Sequence, residues 1–343
     1  MSKVIDLRSD TFTLPDDGMR RAIFEARVGN AGYDEDPSVN QLETEMAGYF
    51  GVQDALFLPS GTMAGQIAIR VWTRPGDVVI IEQYGHEYYF ETGSMAAISG
   101  VQARLIPGDK GILSAGDIAT QLDHPENPYA RTSLIVLENS TNFGGGTVYP
   151  ESTLKQIFKL AADSKLPIHV DGARAWNVIA KTGCVPNSLI APGGSMSVCL
   201  SKGLGAPMGS ILLGPAEFIG EARRIQNLLG GVMRQVGFMA AAGVYAFHNN
   251  LERLQQDHEN ALLMAMELGN NPLLEIDLDS VQTNIIYFRL RKDGQNAEAL
   301  VGQLEERGVL ALNVGPLVRL VTCLNVSRGD CERAVEIIND LVK

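Results

Sequence analysis

Between positions 55 and 213 the chain repeats one pattern: an apolar run of four to six residues, a turn rich in Gly, Ser or Asp, then a stretch whose apolar residues recur at helical spacing. The runs lie at 55–58, 78–81, 133–137, 167–170, 196–200 and 210–213. Short runs without polar alternation read as strands buried on both faces. Helices alternating with them predict an α/β fold with a mostly parallel sheet covered on both sides. Ahead of this, residues 1–37 look irregular apart from a helical patch near 19–26. Val39, Leu42, Met46 and Phe50 then share one helical face, with Pro37 in the first turn, where proline is accepted. After the last run come two long helical segments, about 215–229 and 236–265, with no strand between them. Beyond Asn270-Asn271-Pro272 the units shorten to strand-like 284–288, a helix over 296–306, strand-like 309–312 and 318–322, and a final helix over 329–342. This pattern predicts an arm at 1–30 packed on a small domain, a large domain at 31–254, and a small α+β domain at 255–343.

Composition narrows the classes of function. A chain of 343 residues can bury a large core with a smaller companion. With 28 Lys and Arg against 40 Asp and Glu the net charge is -12 and no basic run occurs, which argues against nucleic acid and anionic membrane as partners. Cys184, Cys199, Cys323 and Cys331 stand singly, so reduced thiols and no metal site are expected. The first residues carry no signal-like apolar core and no later run reaches membrane-spanning length. A soluble cytoplasmic protein is the expectation.

The candidate chemistry sits where strands stop. Lys202 follows the run 196–200 and is itself followed by Gly203, Gly205 and Gly209, which displays an amine at the sheet rim, where α/β proteins bind ligands. A partly desolvated lysine there can form a Schiff base with a carbonyl compound. Ser60-Gly61-Thr62 ends one run and opens a helix, which makes either an ordinary cap or an anion site suited to phosphate. Asp171 ends another run, with Arg174 three residues on. The aspartate is either a structural partner of Arg174 or the partner of a protonated ring nitrogen. His86, after the run 78–81, is one of only five histidines. Phosphate cradle, ring neighbour, ring-nitrogen partner and reactive lysine together point to pyridoxal 5'-phosphate as cofactor.

Asp6-Leu7-Arg8-Ser9-Asp10-Thr11, Glu35-Asp36-Pro37, Pro59-Ser60-Gly61-Thr62-Met63, Asp171-Gly172-Ala173-Arg174, Leu200-Ser201-Lys202-Gly203, Met233-Arg234-Gln235 and Arg319-Leu320-Val321-Thr322 resemble the low-specificity L-threonine aldolases nearly end to end. These belong to the β-eliminating lyase group of fold-type I, aminotransferase-like pyridoxal-phosphate enzymes. The resemblance implies that Lys202 holds the cofactor, Asp171 pairs with its ring nitrogen and His86 stacks on its face. Ser60, Gly61 and Thr62 would bind the phosphate. Ser9, Arg174 and Arg319 would hold the substrate carboxylate, with Arg174 also at the cofactor site. Arg234 would reach the phosphate of a neighbouring subunit, and Tyr33 matches a tyrosine of the active-site entrance. A homotetramer, a dimer of dimers with shared sites, is implied, acting on a small-molecule amino acid.

The chain departs from the family after Glu138-Asn139. Ser140-Thr141-Asn142-Phe143 stands where the family usually has Thr-His-Asn-Arg, so Thr141 takes the place of a histidine near the substrate β-hydroxyl. Gly65 stands where asparagine is common. The expected reaction is cleavage of the Cα–Cβ bond of L-threonine or L-allo-threonine to glycine and an aldehyde, slow on threonine itself and better with bulkier apolar β-substituents near Phe143. The same apparatus would serve β-elimination from a cysteine S-conjugate, or racemisation. A cofactor-binding relative without catalysis is disfavoured by the surviving Lys202, and an α/β oxidoreductase by the lack of a Gly-rich dinucleotide fingerprint.

Overall fold

The protein, here a computed structural model, is described for residues 4–122, 130–291 and 296–343. The strands of the repeat are β2 (Asp54–Leu58), β3 (Val78–Glu82), β4 (Gln102–Ile106), β5 (Thr132–Glu138), β6 (Ile168–Gly172), β7 (Ser195–Cys199) and β8 (Ser210–Gly214). They form one seven-stranded sheet in the order β2-β8-β7-β6-β5-β3-β4, parallel except at β8, which runs antiparallel to both neighbours. The register sets Glu138 of β5 beside Asp171 of β6 and Asp171 beside Ser197 of β7. Three strand ends thus reach one edge.

One face of this sheet packs into a core with Leu42, Met46 and Phe50 of α2 (Pro37–Phe50) and Ala240, Ala242 and Ala246 of α9 (Gly237–Asn250). The other face is covered by α3 (Gly61–Trp72) and α8 (Ala216–Leu228), whose Ile67, Ala68, Phe218 and Ile219 are buried against Leu56, Leu58 and Leu212. Burial on both faces explains why these strands read as continuous apolar runs. A separate apolar cluster joins Ala261, Met264 and Leu268 of α10 (Leu254–Gly269), Ile286 and Phe288 of β10 (Ile285–Leu290), and Cys331, Ala334 and Ile338 of α12 (Arg328–Leu341). Ile5 and Leu7 belong to this cluster, and β1 (Ile5–Asp6) pairs in parallel with β11 (Val309–Leu310).

Three details differ from the sequence reading. The segment 236–265 is two helices, α9 and α10, separated by a turn at 251–253 without Gly or Pro; Arg253, the last residue of the turn, pairs with Asp257 in the first turn of α10 at 2.8 Å. Strand β4 was not anticipated, because as an edge strand with partly exposed residues it lacks an apolar run. Residues 309–312 are not one strand: β11 ends at Leu310 and β12 (Leu312–Val314) starts after buried Ala311.

Asp36 fixes the entry to the large sheet. It is fully buried, caps α2 by accepting from Ser38 and Val39 N–H at 3.1 and 3.2 Å, and also accepts from Gly29 and Gly237 N–H at 3.2 and 2.9 Å. A Cβ at Gly237 would lie 2.1 Å from Asp36 Oδ1, so only glycine permits this approach. Asp36→Ala leaves four N–H groups without an acceptor and is expected to destabilise the fold by about 3 kcal/mol, read as a lowered melting temperature.

Candidate active site

The chemistry collects at the carboxyl ends of β5, β6 and β7. Asp171 is nearly buried, and its Oδ1 accepts from Ala173 N–H at 2.9 Å. Arg174 is not its partner. The guanidinium instead makes a two-point contact with Asp10, at 2.8 Å from both Nε and Nη2, and Asp10 also accepts from Asn284 at 3.1 Å. Asp10 is fully buried, and although burial alone would raise its pKa, Arg174 holds the carboxyl well below the usual range. The alternative in which Asp171 merely neutralises Arg174 is therefore corrected by geometry: a closer buried carboxylate has taken that cation.

Lys202 lies three residues past β7, in the turn that leads to β8, and is half-buried. Among the described residues no hydrogen bond or ion pair takes its Nζ, while its charge bears on Asp10 and His86. The first turn of α3 approaches the same edge. A Cβ on Gly61 would stand 2.7 Å from Cys199 Sγ, so glycine is required for the helix start to lie against the end of β7. Ser60 Oγ accepts from Met63 N–H at 3.2 Å, the ordinary cap, and the N–H groups of Gly61 and Thr62 take no internal acceptor among the described residues. A helix start of this kind suits a phosphate.

Arg319 of β13 (Leu317–Val321) and Arg174 converge, each donating to Asn142 Oδ1 at 3.1 Å. Burial and the charge of Arg174 hold Arg319 below the ordinary guanidinium value, and its buried Nε has no partner among the described residues. Two buried guanidiniums share a neutral amide, and of the two only Arg174 has a carboxylate, Asp10, in direct contact among the described residues, so the arrangement suits a bound carboxylate. Ser9 is buried next to them, its hydroxyl accepting from Thr11 N–H at 3.3 Å and lying 3.4 Å from Asp10 Oδ1.

His86 begins the short helix α4 (His86–Tyr89) after β3. Its N–H donates to Glu138 Oε2 at 3.0 Å, and its ring stacks on Phe90 with centroids 5.5 Å apart. Burial would lower its pKa, but the Glu91 carboxylate at Nδ1, 3.0 Å away, together with Asp171, leaves it raised. Burial and Asp171 push Glu138 up to about 7.

Thr141 sits inside the loop that follows β5. It is buried, its hydroxyl donates to Lys110 O at 3.0 Å and lies 2.6 Å from the Thr147 hydroxyl, and the loop closes on itself through Thr141 N–H to Thr147 O. Asn142 is the residue of this loop that reaches the arginines. Phe143 stacks on Tyr84 with centroids 4.4 Å apart, and both line a cleft of about 380 Å³ that Tyr287 and Leu317 also line. Tyr33 and Arg234 lie apart from the cluster on an exposed patch, where Ala31 N–H donates to Arg234 O at 2.9 Å. Asp10, Glu91, Glu138 and Tyr287 were not singled out from sequence. Asp10 and Glu138 were visible only as members of longer motifs, and Glu91 only as a carboxylate five residues after His86.

The profile of the beta-eliminating lyase family matches residues 6–291, and the chain belongs to that family, one of pyridoxal-phosphate-dependent enzymes. Within it the chain is 40% identical over 326 residues to the low specificity L-threonine aldolase of Escherichia coli (strain K12), covering 95% of each. It is 36% identical over 314 residues to low-specificity L-threonine aldolase 1 of Arabidopsis thaliana, covering 90% of this chain and 87% of that one. Solved structures show the fold. Leishmania major threonine aldolase superposes with a TM-score of 0.85 at 19% identity over 99% of this chain and all of that one. Rhizobium meliloti aspartate aminotransferase gives 0.69 at 17% identity over 98% and 90%. Among the described residues no helix is long and apolar enough to cross a membrane.

Proposed function

We propose that this protein cleaves the Cα–Cβ bond of L-threonine and related β-hydroxy-α-amino acids to glycine and an aldehyde, with pyridoxal 5'-phosphate as cofactor. The observation that carries the reading is the meeting, at one sheet edge, of a Lys202 and an Asp171 that no oppositely charged side chain engages among the described residues and a glycine-dependent helix start. These features fit the cofactor: Lys202 Nζ would hold it covalently, Gly61 and Thr62 with Ser60 would take its phosphate, and Asp171 would keep a proton on its ring nitrogen. When bound, it supplies an electron sink for the carbanion left at Cα.

The chain's own residues do the rest. Arg319 and Arg174, with Ser9 beside them and Asn142 between, hold the substrate carboxylate and so fix which bond at Cα is broken. The β-hydroxyl proton goes to His86, because the Thr141 hydroxyl is turned inward to Lys110 O. Asp10 keeps Arg174 in place. Tyr33 and Arg234, exposed together, are read as serving the site of a second copy, in a dimer of dimers.

Phe143 and Tyr84 give the cleft beside Tyr287 an aromatic wall. Incubation with a panel of L-threonine, L-allo-threonine, β-phenylserine and S-alkyl cysteines tests the reading. Glycine and aldehyde are expected from the first three, with kcat/KM about tenfold higher for β-phenylserine than for L-threonine. Phe143→Ala is expected to remove that preference. Pyruvate and thiol from the cysteines, with no aldehyde from any β-hydroxy substrate, would replace cleavage by β-elimination.

A further inference from the structure

Behind His86 runs a chain of side chains that leads away from the site. Its Nδ1 lies 3.0 Å from Glu91 Oε1, and Glu91 Oε2 accepts from Gln66 Nε2 at 2.7 Å. Glu91 is 6% exposed and Gln66 1%, whereas a third of the His86 side chain is open. A carboxylate accepts, so the imidazole hydrogen sits on Nδ1 and the lone pair on Nε2, which has no partner among the described residues. Phe90 stacks on the ring and fixes its plane. Gln66 belongs to α3, the helix whose first turn carries Ser60-Gly61-Thr62, so the phosphate cradle and the end of this chain share one rigid element.

We infer that Gln66 and Glu91 are positioning residues that set the tautomer and basicity of His86, so that Nε2 is the atom that takes the proton from the substrate's β-hydroxyl. This rests on the reading of His86 as the base in aldol cleavage. The arrangement is that of a base oriented by a carboxylate which is itself held by a third group.

Glu87, next to His86, shows the contrast. It is just as buried, but among the described residues neither of its oxygens has a hydrogen-bond partner, burial pushes its pKa well above the ordinary carboxyl value, and its carboxylate comes no closer than 3.9 Å to the His169 ring. Of the two glutamates in this turn, only Glu91 is gripped at both oxygens.

The charged groups that bear on His86 are Glu91 in the same turn, Asp171 from β6, Glu138 from β5 and Lys202 from the turn after β7. Three favour imidazolium; Glu138 takes the backbone N–H of His86, and among the described residues Glu91 is the one hydrogen-bonded to the ring. Glu91→Gln therefore has a defined direction: the pKa of His86 falls, and with the Gln66 amide still donating, the new amide donates to Nδ1 and drives the hydrogen to Nε2.

The test uses the cofactor-loaded enzyme in two measurements. In ¹⁵N NMR of the imidazoles, with His86 assigned by its absence in His86→Asn, wild type should show the Nδ1–H tautomer and a pKa raised above that of an ordinary imidazole. Glu91→Gln should lower that pKa and lose the tautomer. In the pH profile of kcat/KM for L-threonine, Glu91→Gln should reduce the plateau about 100-fold and move the acid limb to lower pH. A His86 pKa and tautomer unchanged by Glu91→Gln, or a lowered plateau with an unmoved limb, overturns the inference. Should Glu91→Gln fail to fold, Gln66→Met decides: it is expected to lower kcat about fivefold with KM unchanged, and wild-type kcat would overturn the inference. Because the NMR readout needs no turnover, a protein that shows the tautomer switch yet releases no aldehyde refutes the aldolase reading and leaves the orienting chain standing.

Discussion

Lys202→Ala abolishes the visible absorption band of the purified protein and lowers aldehyde release from L-threonine by roughly 10⁴-fold or more, the loss seen when a covalent nucleophile is deleted. The expectation follows from position and from lack of engagement. Lys202 stands three residues past β7 at the edge shared with Asp171, and none of the described residues takes its Nζ. A structural lysine so placed would be in an ion pair, as Lys110 is with Asp277. Absorbance spectra of wild type and variant, with and without added pyridoxal phosphate, give the answer. A wild type that carries no band and cannot be loaded would end the cofactor reading, and a variant that keeps both band and activity would move the covalent attachment elsewhere.

Asp171→Asn lowers kcat by about 10² to 10³, since a preorganised charge at the developing carbanion's electron sink is worth a few kcal/mol, and it does so with little loss of stability. The second half of this expectation comes from the structure. Were Asp171 the partner of Arg174, removing its charge would strand a buried guanidinium at a cost of several kcal/mol. Arg174 is held by Asp10 at two points, and among the described residues Asp171 receives only the Ala173 N–H, so asparagine strands no buried cation there. Thermal melts should agree within a few degrees while turnover collapses. A melting temperature that falls steeply together with activity would return Asp171 to a structural role.

The sheet was legible in the sequence because strands buried on both faces leave uninterrupted apolar runs, and six of the seven main strands do so. Edge strand β4 left no such trace, since half of its surface needs no burial. The break between α9 and α10 was equally silent, as it falls among ordinary helix formers and its position is set by where the chain passes from one apolar cluster to the other. Lys202, Asp171, Gly61 and His86 could be read as candidates because each stands just past an apolar run, and strand ends become rim positions whatever the rest of the chain does.

What the sequence could not determine is who faces whom. Asp10 and Arg174 are 164 positions apart, Gln66 and Glu91 are 25 apart, and Arg319 meets Asn142 across 177. Each pairing depends on how β6, α3 and β13 are laid against their neighbours, which local spacing does not encode. The same holds for Thr141: a hydroxyl beside the family's substrate position by sequence turns inward in the fold, because the carbonyl of Lys110 and the hydroxyl of Thr147 supply its partners there. The residues that carry chemistry were fixed by strand ends, whereas the charges and hydrogen bonds that tune them were fixed only by tertiary contact.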